Sequence, residues 1–413
     1  MKILIWSQYF WPETFRINDV AAQLTKLGHE VSVLTGKPNY PEGDYYPGYS
    51  FASLNREKWQ GIDIVRIPLV RRGHSKLGLA FNYFSFILSG YLLGPRVLSG
   101  RKFDVVFIYA PSPIFQALPA LFFSRVKKIP SVLWVQDIWP EVLFSVGRLR
   151  HRSVIATVER VVRFIYSRSD VLLIQSEAFR NSVSRLTSNP KKIQYLPNPA
   201  EEFSIEVPPS PRALELGARM RRTFAVTFTG NLGKAQALET ILGAAEILSE
   251  WTDIELHLVG SGSLAAWVGS EVHRRGLRNL IHSDRLPATD MPEIMSASAV
   301  LLASLRADAV GEATIPSKLQ SYLAAGRPVI ACMNGEGARV VLTADAGIAC
   351  KAEDPVELAK AILALHALND EDRRRLGENG KRYFLSNFGL SFVSQRLISV
   401  FEAVQDTGKE TRQ

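Results

Sequence analysis

Short runs of aliphatic and β-branched residues alternate with stretches of helical periodicity along this chain, and the series runs twice. That alternation restricts the fold more than any other feature. Strands buried on both faces and joined by helices assemble into a parallel, doubly wound sheet. In the first series, Lys2–Trp6, Val31–Thr35, Ile64–Ile67, Asp104–Tyr109, Ser131–Val135, Val171–Ile174 and Ile193–Leu196 are expected strands. After the first of them, Ile17, Val20, Ala21, Leu24 and Leu27 share one helical face and Gly28 ends the helix. The second series is expected at Phe224–Thr229, Ile254–Val259, Ala299–Ala303, Pro328–Ala331 and Gly347–Ala349. Between the two, Pro208, Pro209 and Pro211 interrupt any regular pattern. The reading is an α/β chain of two Rossmann-like, doubly wound domains, 1–199 and 223–380, joined by a linker at 200–222. A last amphipathic segment, about 372–404, follows the second sheet.

Charge is divided unevenly between the halves. Of 49 basic and 40 acidic residues, 26 and 13 fall in 1–199, a balance of +13; the remaining 23 and 27 give −4. A basic half implies an anionic surface or polymer as partner. Nucleic acid is not expected, because no zinc-finger spacing, RNA-recognition signature or basic-zipper heptad is present. Residues 77–95 carry no charge, with Arg71, Arg72, His74 and Lys76 before them and Arg96, Arg101 and Lys102 after. The run is nearly long enough to span a bilayer. Spanning would place strands of one domain, around Ile64 and Val105, on opposite sides of a membrane. Two readings stand level: an interfacial helix against anionic lipid, or a buried core helix. Two cysteines, Cys332 and Cys350, exclude a disulfide framework and point to a reducing compartment. The apolar run at 1–5 is too short for a signal peptide. A cytoplasmic protein attached peripherally to the inner face of the plasma membrane is expected.

Open parallel sheets bind ligands beyond the carboxyl ends of their strands, and three loops of the second half lie there. The first is Gly230-Asn231-Leu232-Gly233-Lys234, whose glycines admit close backbone approach and whose lysine adds charge. Its alternative is an ordinary tight turn. The second, Gly260-Ser261-Gly262, has the look of a phosphate loop or a plain chain reversal. The third runs from Glu312 through Ile315-Pro316-Ser317-Lys318 to Gly326. Pro316 suits a first helical turn and Gly326 a helix stop. Lys318 would then sit where the helix dipole disfavours a cation. A bound diphosphate would repair that conflict, with Ser317 and backbone N–H groups as further donors.

With these loops, Pro38-Asn-Tyr-Pro41, Asp137-Ile-Trp-Pro-Glu141, Pro197-Asn198 and Gly326-Arg-Pro-Val329 occur in both halves and in a fixed order. The whole chain resembles family 4 of the retaining glycosyltransferases. Within that family it is similar to bacterial O-antigen and exopolysaccharide enzymes that transfer an N-acetylamino sugar to a polyprenyl-diphosphate-linked acceptor. The resemblance implies a GT-B fold, two domains facing a cleft, and a C-terminal helix over 381–413 returning to the first domain. It implies a nucleotide-sugar donor, a UDP-sugar, in the second domain, and a lipid-linked acceptor at the first. Lys234 and Lys318 would meet the diphosphate. Gly230, Asn231, Gly233, Gly260, Gly262 and Ser317 would bind the donor, and Leu286, in Arg285-Leu-Pro287, would present backbone to the base. The family pattern has two glutamates with seven residues between them, ahead of the Ala-Gly-x-Pro turn. Here Ser321 stands at the second position and Ala313 at the first, with Glu312 one residue earlier. The resemblance leaves Glu312 to reach the donor sugar and Ser321 to replace the ribose contact. In the first domain, Asp137 would position the acceptor hydroxyl, and Arg16, Asn18 and Glu141 would contact the acceptor. Glu13 belongs to the same first loop, and Glu177 reads as a helix cap.

A retaining reaction of this kind is described as front-side attack, in which the departing diphosphate takes the acceptor proton. Hence a hydrolase-type carboxylate pair is not required, and leaving-group charge falls to lysines and helix ends. No cofactor is expected, and no metal, since the only Asp-x-Asp, at Asp370-Glu371-Asp372, opens a helix. The alternatives are a sugar-nucleotide 2-epimerase of the same fold and a non-catalytic sugar-nucleotide-binding partner.

Overall fold

A computed structural model describes residues 1–51, 55–145, 152–200 and 207–410. It divides into two compact units, Met1–Pro199 with Leu390–Gln413, and Ala200–Gly389. The sheet of the first unit has eight strands: β1 (Lys2–Trp6), β2 (Glu30–Thr35), β3 (Asn55–Trp59), β4 (Ile62–Arg66), β5 (Val105–Ala110), β6 (Ser131–Val135), β7 (Val171–Ile174) and β8 (Ile193–Tyr195). Their order is β3-β4-β2-β1-β5-β6-β7-β8. All pairs are parallel except β3 with β4. β5 and β6 are buried at every position, as strands covered by helices on both faces require. The strand order reverses between β1 and β5, which fixes where a ligand crevice opens in this unit.

The second unit carries six parallel strands: β9 (Phe224–Thr229), β10 (Ile254–Val259), β11 (Leu280–Ser283), β12 (Val300–Ser304), β13 (Val329–Cys332) and β14 (Gly347–Cys350). Their order, β11-β10-β9-β12-β13-β14, is that of a dinucleotide-binding sheet, with the reversal between β9 and β12. Both strands are wholly buried.

Several elements differ from the sequence expectation. β3 and β11 were not expected. β3 reads Asn-Arg-Glu-Lys-Trp and is half exposed at an antiparallel edge, so it shows no apolar period. Residues 211–220 were expected within a linker, yet Pro211–Met220 is a helix of the second unit. Ser210 caps it by accepting from Ala213 N, and Pro211 occupies the first turn, where its missing N–H costs nothing. Buried Asp290 accepts from Ser210 N and Oγ at 2.8 and 2.7 Å, fixing that end. The segment at 372–404 is two helices, Asp370–Asn387 and Leu390–Glu410. The first lies in the second unit, while the second buries Val393, Leu397 and Phe401 in the core of the first unit.

The uncharged run forms the helix Lys76–Val97, capped by Ser75. It is not a core helix: Asn82, Phe86, Gly90 and Gly94 are buried, while Phe81 and Phe84 are 60% and 63% exposed.

Candidate functional site

The crevice at the β9/β12 reversal is built from the loops that the sequence singles out. Gly230 follows β9 with φ of 116°, a conformation that favours glycine. Its neighbour Leu232 turns inward to 0% exposure, donates N–H to Ser261 O at 2.8 Å and accepts from Leu264 N at 2.9 Å. The β9 and β10 loops therefore lie flat against each other. This contact explains the glycines of the second loop. A Cβ on Gly260 would stand 1.8 Å from Gly230 O, and one on Gly262 would stand 2.5 Å from Leu232 O. Gly233 likewise leaves room for the Asn231 side chain. Gly260 and Gly262 therefore serve the packing of two loops, a role that the phosphate-loop reading had not assigned them.

Gly230, Asn231, Gly260 and Ser261 then line a cavity of about 380 Å³ with Arg285, Leu286 and Met291. Leu286, at the wall of this cavity, packs in the buried cluster with Val259 and Ile294. A larger cavity, about 660 Å³, opens at the opposite, amino ends of β9, β12 and β13, lined by Arg221, Arg327, Arg373 and Arg374 among others. It contains none of the expected site residues. Helix C-termini gather at that end of a parallel sheet, and arginines there meet their partial negative charge. Arg373 does so directly, donating to Leu365 O and His366 O at 3.1 Å each.

Lys318 is the second residue of the helix Ser317–Ala324, in its first turn, with Pro316 at the N-cap. Gly326, at φ of 68°, lies just past the helix end. Lys318 Nζ stands 3.6 Å from the centroid of the Phe228 ring and donates to Gln236 Oε1. Among the described residues no carboxylate pairs with it, and burial alone pushes the ammonium down to about 7. A cation is thus held over an aromatic face with too little negative charge to satisfy it. Gln236 closes the short turn Lys234–Gln236, so Lys318 touches the same turn that begins with exposed Lys234. Arg306 N donates to Ala235 O at 2.9 Å, tying the β12 loop to that turn.

Tyr322, one turn along from Lys318, is fully buried and its hydroxyl accepts from Thr229 N at 2.8 Å. This bond seats the helix against the end of β9. Ser317 and Ser321 stack on the helix, Ser321 Oγ donating to Ser317 O at 3.4 Å. Glu312 ends near the β13 loop: its Oε1 accepts from Asn334 Nδ2 at 3.0 Å, and its carbonyl abuts Gly335, whose φ is 74°. Gln236, Tyr322 and Asn334 escaped the sequence reading. Only Tyr322 left a signal, as an aromatic four residues from the lysine.

The acceptor residues expected in the first unit are spread over its carboxyl-end loops. Asp137 Oδ2 accepts from Ser112 N and Oγ at 3.0 and 2.6 Å, joining the β5 and β6 loops. Glu141 pairs with Arg185 at 2.8 Å, and Arg16 lies 3.7 Å from Asp19. Asn18 is buried, accepting from Trp11 N and donating to Glu13 O, so its amide holds the first loop. Glu13 is 1% exposed and accepts from Asn39 N and Tyr40 N at 2.8 and 2.7 Å. Burial raises its carboxyl to about 7 against those donors. Glu177 pairs with Arg180. Asp370, Glu371 and Asp372 open a helix capped by Asn369, and no group of metal-ligating side chains occurs among the described residues.

Two domain families and several known proteins match the chain. Residues 14–199 match a glycosyl transferase 4-like domain and residues 223–367 match glycosyl transferases group 1. A protein of Pseudomonas aeruginosa bearing the name glycosyltransferase WbjE is 27% identical over 326 residues, 76% of this chain and 78% of its own. One of Escherichia coli K12, named for colanic acid biosynthesis as the glycosyl transferase WcaI, is 23% identical over 79% of this chain and 82% of its own. Among solved structures, Anabaena HepE in complex with UDP-glucose aligns over 98% of this chain and 100% of its own, at 15% identity and a TM-score of 0.64. The trehalose-6-phosphate synthase OtsA aligns over 97% and 99%, at 13% identity and a TM-score of 0.70.

Proposed function

The chain belongs to the two-domain glycosyltransferases of the GT-B fold, and on that premise we propose that it transfers an N-acetylamino sugar, with retention, from a UDP-sugar to a polyprenyl-diphosphate-linked acceptor in surface polysaccharide synthesis. The observation that carries this reading is Lys318, an underneutralised cation at a helix N-terminus beside a loop-lined cavity. A nucleoside diphosphate supplies the missing charge. Its base would enter the cavity by Leu286, and its diphosphate would lie along the 230–234 loop toward Lys234 and Lys318. Ser317 and Ser321 would face the phosphate and ribose, and Glu312, held by Asn334, the sugar. As the glycosidic bond breaks, negative charge grows on the diphosphate. A preorganised donor aimed at such charge contributes about 3 kcal/mol. The acceptor hydroxyl would be oriented by Asp137, with Arg16 and Glu141 nearer the rest of the acceptor. HepE has been solved with UDP-glucose and WcaI carries a polysaccharide-synthesis name, which supports a UDP-sugar and that setting. The basic first unit and its apolar helix support work at the cytoplasmic face of the plasma membrane.

The test is incubation with a panel of UDP-sugars and a polyprenyl-diphosphate-linked acceptor, followed by mass spectrometry. The reading predicts a glycolipid heavier by one sugar. A changed nucleotide-sugar without any need for acceptor would instead identify an epimerase, and tight binding without turnover a non-catalytic partner.

A further inference from the structure

The helix Lys76–Val97 is apolar on both sides, and each side has its own explanation. Its inner face is locked to the first unit. A Cβ on Gly94 would stand 2.6 Å from the Trp6 ring, and one on Gly90 would stand 2.9 Å from Pro119. Helix and sheet approach this closely only because both residues are glycine. Phe86 is 0% exposed there. A segment so seated cannot leave to cross a bilayer without opening the core.

The outer face is bare. Leu77, Phe81, Phe84, Leu88 and Leu92 are 47–72% exposed. At about 100° per residue these positions fall within a stripe roughly 80° wide along the whole helix. The stripe does not end at the helix edge. Tyr91 meets Phe122 at 5.4 Å between ring centroids, and Phe122 lies on the neighbouring helix Ala117–Lys127 with Val126 one turn on, 44% and 56% exposed. Seven large apolar side chains thus form one surface over two helices, more than scattered exposure explains.

Charge identifies the occupant. No acidic residue occurs from 70 to 103 or from 117 to 129. Lys76 and Arg96 stand at the ends of the first helix, and Arg125, Lys127 and Lys128 are exposed at the end of the second. A basic rim around an apolar stripe matches one leaflet of an anionic bilayer, in which acyl chains take the aromatic groups and headgroups take the cations.

We propose that these two helices together form the face by which the protein rests on an anionic membrane, its long helix lying in the plane of the leaflet. This rests on the reading that the acceptor is lipid-linked, and it adds a second helix and an orientation. It also links the membrane to the acceptor loops. On the reverse side of the docking helix, buried Asn82 accepts from Gln8 Nε2 at 2.7 Å and donates to Val70 O and to Asn39 Oδ1. The helix on the lipid is thereby tied to the loops after β1 and β2.

The experiment is sedimentation with vesicles of phosphatidylglycerol and phosphatidylcholine, or of phosphatidylcholine alone, without donor or acceptor present. Wild type should pellet with the anionic vesicles at least tenfold more than with neutral ones. The pairs Phe81→Ser with Phe84→Ser and Phe122→Ser with Val126→Ser should each cut partition about tenfold. Leu214→Ser, an exposed apolar site of the second unit, should change nothing. Melting temperatures should stay near wild type, since the altered side chains are exposed. Wild-type binding by the Phe122/Val126 pair overturns the two-helix face, as does equal binding to neutral vesicles. A dimer lost in the same variants would make the face an interface between copies and also refutes the proposal. Because no sugar transfer is measured, these failures are distinct from a failure of the transferase reading.

Discussion

If Lys318 awaits a diphosphate, nucleotide binding should carry a proton with it. Burial holds the free lysine at about 7, so at pH 8 about nine-tenths of it is neutral. A phosphate about 4 Å from the ammonium interacts by about 4 kcal/mol at an effective dielectric of 20. That is about three pKa units, enough to return the bound lysine to its ordinary range. Binding UDP at pH 8 should therefore take up about 0.9 proton. Affinity should be full below pH 7, where the lysine is already charged, and fall about tenfold per unit above it. The sign for the free fold is the opposite: the unfolded chain keeps this proton up to the ordinary lysine value, so the group's destabilising effect fades as pH rises from 7. Calorimetry of UDP binding at pH 8, in buffers differing in ionisation enthalpy, reads the uptake as a slope. Lys318→Met should abolish it. No uptake in wild type, or equal uptake in the variant, refutes the reasoning.

Three further outcomes follow from the same site. Gly260→Ala places a methyl against Gly230 O and should cost about 2–3 kcal/mol, lowering the melting temperature by several degrees and weakening UDP binding; an unchanged melting curve would contradict the loop packing. Glu312→Gln should lower kcat about 10- to 100-fold, as loss of a hydrogen bond to a charged group would, while UDP affinity measured by calorimetry stays within about twofold. Turnover should persist in EDTA, because lysines and a helix end meet the leaving group; complete loss restored by magnesium or manganese would oppose this.

What the sequence revealed follows the strength of its local signals. The buried strands β1, β6, β7, β9 and β10 were legible to the residue, because runs such as Val-Leu-Leu-Ile have one comfortable environment. β3 was hidden by its charges, and the 211–220 helix by prolines that start a helix as readily as they break one. Lys318 was legible as a conflict with the helix dipole. Its neighbours were not, since Phe228, Gln236 and Lys318 come from three segments that only the sheet brings together. The same holds for Glu312 with Asn334, 22 residues apart. Gly260 and Gly262 were visible as glycines, but their reason, a second loop pressed against them, is a tertiary fact.

The most direct test of the central claim is a crystal structure of the protein with UDP. The account places the uracil at the cavity lined by Gly230, Gly260 and Leu286, and the diphosphate within hydrogen-bonding reach of Lys318. Nucleotide found instead in the arginine-lined cavity at the amino ends of β9, β12 and β13, with Lys318 still over Phe228 and bonded only to Gln236, would contradict it.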